Sequence, residues 1–217
     1  MGRKVSIDNY CKINDKTLHL LPFSPSRKRQ KKFEIERQWG QWRLNLSAPE
    51  TMNTIDLITL AQMLQDYQRS PESWLNSGFI DDQEVLKREL SLSEMAKARG
   101  LPDKKGNRET ILKSIYRWYQ AELKYTHIDD GSEHYTRYIF TFSNNDKKGA
   151  KSVTINVNKG FLEFCLNSGL MFNWKRLTRY KTGHAQLLDA FLQGTKGGVK
   201  GGPYRYRNTY SEDILMR

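Results

Sequence analysis

The chain has 217 residues, long enough for one or two domains with a substantial apolar core. Its 36 Lys and Arg against 24 Asp and Glu give a net charge of +12, which favours a polyanionic partner, nucleic acid first among them. Cys11 and Cys165 form no CxxC, which excludes a thiolate zinc site, and no apolar run long enough to span a bilayer is present.

In chain order, residues 1–38 read as a basic, flexible N-terminal arm. Its RKRQKK run (Arg27 to Lys32) repels itself and is suited to tracking phosphates. The folded part opens at Trp39. Trp42, Leu44 and Leu46 alternate with polar residues, which predicts a short strand. Residues 53–68 predict a helix that is apolar round most of its girth and therefore central to the core. Residues 82–90 are open between strand and helix.

The stretch from Ser91 to Leu123 predicts two helices joined by a polar turn. Ser91 is the N-cap of the first, with Glu94 placed to complete a capping box, and Gly100 is placed to end it. Asn107 is the cap candidate of the second helix. Ile111, Leu112, Ile115, Trp118, Tyr119 and Leu123 make its apolar stripe. Downstream the period changes to two: Tyr135 to Phe142 and Val153 to Val157 predict strands around the basic turn 144–150. Helix, turn, helix, strand, basic turn, strand is the order of a winged helix. The expected fold is α+β, a winged helix-turn-helix whose helices pack on a small antiparallel sheet.

A helix-turn-helix lays its second helix in the major groove, and a wing touches the backbone or an adjacent groove. The expected DNA-binding residues are Lys104, Lys105, Asn107, Arg108, Thr110, Lys113, Ser114 and Arg117 on the turn and second helix, and Lys147, Lys148 and Lys151 on the wing. Arg108, Thr110, Lys113, Ser114 and Arg117 are expected to face the groove, with Arg the best match to guanine. Lys104, Lys105, Lys147, Lys148 and Lys151 are expected to hold phosphates and fix register without reading sequence.

Residues 158–166 predict a short amphipathic helix. Residues 172–180 are open between strand and short helix, and residues 182–192 predict a closing helix, so the domain runs over residues 39–193. Residues 194–217 read as a glycine-rich linker and a short tail, the start of a second domain being one option. Asp129 and Asp130, beside His127 and His134, read as a turn rather than a metal-dependent nuclease site. No catalytic residue, metal or cofactor is expected.

SLSEMAKARGL, the helix ending YRWYQAEL, and LEFCLNSGLMFNWKRLTRYKTGHAQLLDAFL together resemble the first winged-helix domain of plasmid replication initiators, the Rep proteins that bind repeated origin sites called iterons. The resemblance covers Trp39 to Leu192. Such initiators usually carry a second winged helix, whereas only residues 203–217 follow the linker here. The resemblance implies a sequence-specific binder of double-stranded origin repeats of a plasmid or mobile element, in the cytoplasm of a bacterial host and without a membrane partner. A homodimer and host replication proteins are implied as further partners. Two alternatives stay open: a transcriptional regulator of its own operon, and a non-enzymatic module that recruits replication or partition proteins.

Overall fold

The computed structural model describes residues 10–13, 23–25, 31–39, 41–144, 151–166 and 170–195. In chain order the elements are β1 (Tyr10–Ile13), β2 (Lys31–Trp39), β3 (Trp42–Glu50), α1 (Thr54–Arg69), β4 (Leu75–Ile80), β5 (Gln83–Ser91), α2 (Leu92–Ala98), α3 (Lys105–Gln120), β6 (Glu122–His127), β7 (Glu133–Thr136), β8 (Ile139–Asn144), β9 (Ser152–Asn158), α4 (Lys159–Leu166), β10 (Leu170–Asn173), α5 (Trp174–Leu177) and α6 (Gly183–Thr195). The class is α+β: helices on small antiparallel sheets, ordered β2-β3-β6-β7, β4-β5-β9-β8 and β1-β10. Among the described residues, no helix is long and apolar enough to cross a membrane.

Helix α1 is the hub. Asn53 starts it with a capping box: its side chain accepts the Ile55 N–H at 3.0 Å, and Asp56 accepts the Asn53 N–H at 2.8 Å. Leu57, Leu60, Ala61, Met63 and Leu64 are buried on it, and it packs against β1, α3 and α5. Thr54, Asp56, Thr59, Gln62 and Gln65 are buried on it as well, and part-buried Asp66 is also partnered. Arg88 of β5 forks onto Asp66 (Nε to Oδ2 2.8 Å, Nη2 to Oδ1 3.0 Å), and the Trp74 indole donates to the same carboxylate at 2.9 Å. Gln65 accepts from the Trp174 indole and donates to the Tyr10 carbonyl. Polar groups buried on this helix cannot turn to water, so each must find a protein partner.

Three expectations need correction. First, the described parts of residues 1–38 are not a free arm. Tyr10–Ile13 pairs with β10, and Lys31–Trp39 pairs with β3 and so includes the last two lysines of the basic run. Phe23 is buried against Trp118, edge to face at 6.2 Å, and Ser24 donates to the Met52 carbonyl. Arg27 to Gln30 lie outside the described residues. Second, the second helix of the pair begins at Lys105 and ends at Gln120. Ala121 is extended, and Leu123 sits in β6, opposite Leu46 and Thr136. Leu123 is buried as its place in the apolar stripe required, but from a strand.

Third, Tyr135 to Phe142 is not one strand. Its first part pairs with β6 in one sheet and its second with β9 in another. The chain changes sheet at Arg137–Tyr138. The Tyr138 ring is fully buried there, 5.6 Å from Trp118 and 4.7 Å from Phe161, and burying it turns the backbone out of the first ladder.

Residues 82–90 resolve as strand β5, and residues 172–180 hold a strand end followed by a one-turn helix. Gly183 opens α6 in close contact with Pro25: a Cβ there would stand 2.1 Å from the Pro25 carbonyl oxygen. Gly183→Ala is therefore expected to lower unfolding free energy by about 1–3 kcal/mol, the usual cost of forcing atoms into filled space. Urea unfolding measures it.

Candidate nucleic-acid interface

Ser91 caps α2 as its sequence predicts, accepting the Glu94 N–H at 3.3 Å, and Gly100 follows the helix at φ +77°, where a side chain would be strained. The turn to α3 is held by side chains. Asp103 accepts from Ser93 of α2 at 3.1 Å and from Arg108 of α3 at 2.5 Å. Asn107 donates to the Pro102 carbonyl at 2.8 Å. The Arg108 hydrogen bond, with Ser93 behind it, holds the Asp103 carboxyl below its ordinary value. A carboxylate with a depressed pKa stabilises above its unfolded pKa and loses that contribution as pH falls through the folded one, so the clasp opens only in acid. Asp103→Asn is expected to speed amide exchange across residues 101–107 with little change in melting temperature. Unchanged exchange there would show that the clasp is idle.

Helix α3 presents Lys105, Glu109, Thr110, Lys113 and Tyr116 to solvent, with Lys104 just before it. At 3.6 residues per turn these positions span an arc of about 140°. Lys105 pairs with Glu109 one turn on, at 3.7 Å. The opposite side buries Ile111, Ile115 and Trp118, as the periodicity predicts.

Two expected groove residues face the other way. Ser114 and Arg117 are buried, and both reach Asp56 of α1. The Ser114 hydroxyl donates to Asp56 Oδ1 at 2.6 Å and Arg117 Nε donates to it at 2.9 Å; Arg117 Nη2 lies 2.7 Å from the same oxygen as an ion pair without hydrogen-bond alignment. Glu50 stands 3.9 Å from Arg117 Nη1, and the Trp118 indole donates to the Asp56 carbonyl at 2.9 Å. This correction has a plain cause: a buried carboxylate demands a partner, and these two residues supply it. Arg108 and Asn107 are half-buried and committed to the turn, so neither is a free reader of bases.

Helix α2 is locked to α1 in the same manner. Arg99 donates to Gln62 and to Thr59, both at 2.8 Å, and Gln62 donates to the Met95 carbonyl at 3.0 Å. Burial lowers the Arg99 guanidinium to about 10, with Asp56 opposing the shift. Sequence reasoning missed this network. Its signal was Asp56, Thr59, Gln62 and Asp66, a polar row at spacings of three and four inside an otherwise apolar helix.

The β8–β9 hairpin is fixed to α2 beside its turn and to α3 along β8. Lys151, exposed, accepts the Leu92 N–H at the start of α2 through its carbonyl at 2.8 Å. Phe142 of β8 packs on Tyr116 (5.5 Å) and Tyr119 (6.1 Å) of α3. Lys147 and Lys148 lie outside the described residues. Lys104, Lys105, Thr110, Lys113 and Lys151 thus stand exposed on elements that are tied to one another. Tyr116, which the sequence did not single out, is 43% exposed among them.

Asp129 and Asp130 form a turn between β6 and β7. Asp130 accepts the Ser132 N–H at 2.8 Å and pairs with His127 at 3.2 Å, and the Ser132 hydrogen bond holds its carboxyl below the ordinary value. Among the described residues, no group of three or more His, Cys, Asp or Glu is placed to hold a metal ion.

No protein-family model and no curated protein matches the sequence. Among solved structures, the chain is similar to domains 2 and 3 of RctB. A crystal structure of selenomethionine derivatives of these domains superposes with a TM-score of 0.60 at 12% identity, over 83% of this chain and 70% of that one. A second, of RctB 155–483, gives a TM-score of 0.50 at 13% identity over 70% of this chain and 59% of that one. At such identities the likeness concerns the fold, and the chain shares the fold of RctB domains 2 and 3.

Proposed function

We propose that this chain is a winged-helix protein that binds double-stranded DNA in the manner of a replication initiator, with no catalytic role. The observation that carries the reading is the coupling of the helix pair to the β8–β9 hairpin through Lys151–Leu92 and Phe142–Tyr116. This coupling favours a common surface formed by the outer arc of α3 and the turn end of the hairpin. The strand order β5-β9-β8, with α2 and α3 following β5 in the chain, supports the winged-helix reading. RctB is a replication initiator, and likeness to two of its domains favours that role over a promoter regulator.

In this reading Lys104, Lys105, Lys113 and Lys151 hold phosphates, and Thr110 and Tyr116 are the side chains left to meet base edges. Arg108 sets the angle between α2 and α3. Repeated origin sites of a plasmid or mobile element are the proposed target, and cytoplasm the proposed place. The +12 charge supplies the general attraction that precedes specific docking.

Selection from a random duplex pool, followed by anisotropy titration of the selected sequence across salt, tests the proposal. Enrichment of one motif, with affinity falling steeply as salt rises, is the expected result. Binding without enrichment would reduce the role to non-specific coating, and absence of binding would remove it.

A further inference from the structure

The exposed arc of α3 has a neighbour on each flank. Successive residues leave a helix about 100° apart, so Tyr116 and Arg117 point to different sides, and Lys113 falls between them, about 40° from Arg117. On the Tyr116 side stands Phe142 of the β8–β9 hairpin, its ring 5.5 Å away. On the Arg117 side stands Glu50, the last residue of β3, 3.9 Å from Nη1. Glu50 is paired across the ladder with Lys31, the first residue of β2. The end of the basic run, Lys31 and Lys32, is therefore fixed one strand spacing, roughly 5 Å, beyond the β3 end that borders α3.

Packing does not account for these two lysines. Both are exposed, and neither is in an ion pair among the described residues, whereas Arg43 and Lys124 of the same sheet are paired with Glu36 and Glu133. Lys32 also holds φ +57°, a left-handed backbone that residues other than glycine rarely adopt. The ladder runs from Lys31–Glu50 to Phe33–Ala48, and between these pairs fall Lys32 and Pro49, the latter with no N–H to give. Backbone held in a rare conformation clusters at ligand clamps.

A helix with its side chains is about 10–12 Å across and the major groove about 12 Å wide, so a seated helix has a phosphate strand against each of its flanks. Resting on the duplex-binding reading, in which the hairpin side takes one strand, we propose that Lys31 and Lys32 hold the other, the DNA backbone on the Arg117 flank of α3. A phosphodiester strand is the ligand, rather than an acidic protein segment, because the two lysines border an arc that carries Lys104, Lys105 and Lys113. The start of β2 is then the second wall of the groove, built into a sheet rather than carried on a loose arm.

The test uses the full chain and its selected duplex, with anisotropy titrations across salt. Lys31→Gln with Lys32→Asn is expected to lower the slope of log affinity against log salt by about 1.8, at 0.9 for each phosphate contact, and to weaken all duplexes alike. Asn tolerates the left-handed backbone and both side chains are exposed, so the variant should fold, which circular dichroism checks. Lys31→Arg with Lys32→Arg keeps both charges and should keep the slope. Neutral methylphosphonates placed one at a time in the duplex read position. The wild type should lose affinity at phosphates on both sides of the groove. The Gln and Asn variant should become indifferent to those on one side only, and Lys151→Gln to those on the other. An unchanged slope in the Gln and Asn variant, a lowered slope in the Arg variant, or indifference of both charge variants to the same phosphates would overturn the proposal and leave the DNA reading standing. A wild type that binds no duplex would remove the DNA reading itself, and this contact with it.

Discussion

Asp56→Ala is expected to destabilise the protein by about 3–5 kcal/mol, the cost of leaving a buried cation without its partner. The same carboxylate accepts from Ser114 and Arg117 of α3 and caps its own helix through the Asn53 N–H. Since domains are stable by only about 5–15 kcal/mol, the variant should be close to unfolded at 37 °C. Urea unfolding measures the loss. Combining Asp56→Leu with Arg117→Met removes both charges and should recover much of it, because two apolar groups of similar shape need no partner. A loss below about 1 kcal/mol in the single variant would mean that water, not Asp56, serves Arg117.

That network explains which parts of the fold and site were legible in the sequence. Ile111, Ile115 and Trp118 are buried where the 3.6-residue period puts them, and Ser91 and Gly100 bound α2 as their chemistry requires. These are local properties, decided within a turn or two of helix. Arg117 fails because a helical wheel has an angle but no height. It lies within about 20° of Thr110 on the wheel, yet two turns further along. The N-terminal half of α3 projects into solvent, while the half carrying Arg117 is covered by α1 and by Glu50 of β3. Asp56 is 61 residues away in sequence, and nothing local announces such a partner.

The second sheet was hidden for a related reason. Glu133–Thr136 and Ile139–Asn144 share one alternation, and only the burial of Tyr138 between Trp118 and Phe161 separates them. Likewise the arm reading of residues 1–38 weighed the charge of Lys31 and Lys32 but not the long β2–β3 ladder that they open.

The largest functional effect should come from Lys104→Ala, Lys105→Ala and Lys113→Ala combined. Each lysine that neutralises a phosphate contributes about 0.9 to the slope of log affinity against log salt. The triple variant should therefore lower that slope by nearly ~3 and weaken every duplex sequence alike. Lys104 and Lys113 have solvent-facing side chains and Lys105 makes only a surface pair with Glu109, so stability should change by less than about 0.5 kcal/mol. Tyr116→Ala should instead reduce discrimination between selected and random duplex, and, since it also removes the Phe142 contact that holds the hairpin, lower the slope by less than the triple variant does. If the triple variant kept the wild-type slope, the phosphates would be held elsewhere.

The most direct test is positional. A photo-crosslinking amino acid is placed at residue 113 on α3, or at residue 75 on the far edge of the sheet, and irradiated with the selected duplex. The account predicts efficient crosslinking from 113 and none from 75. Crosslinking from 75, or from neither position at saturating DNA, would contradict it.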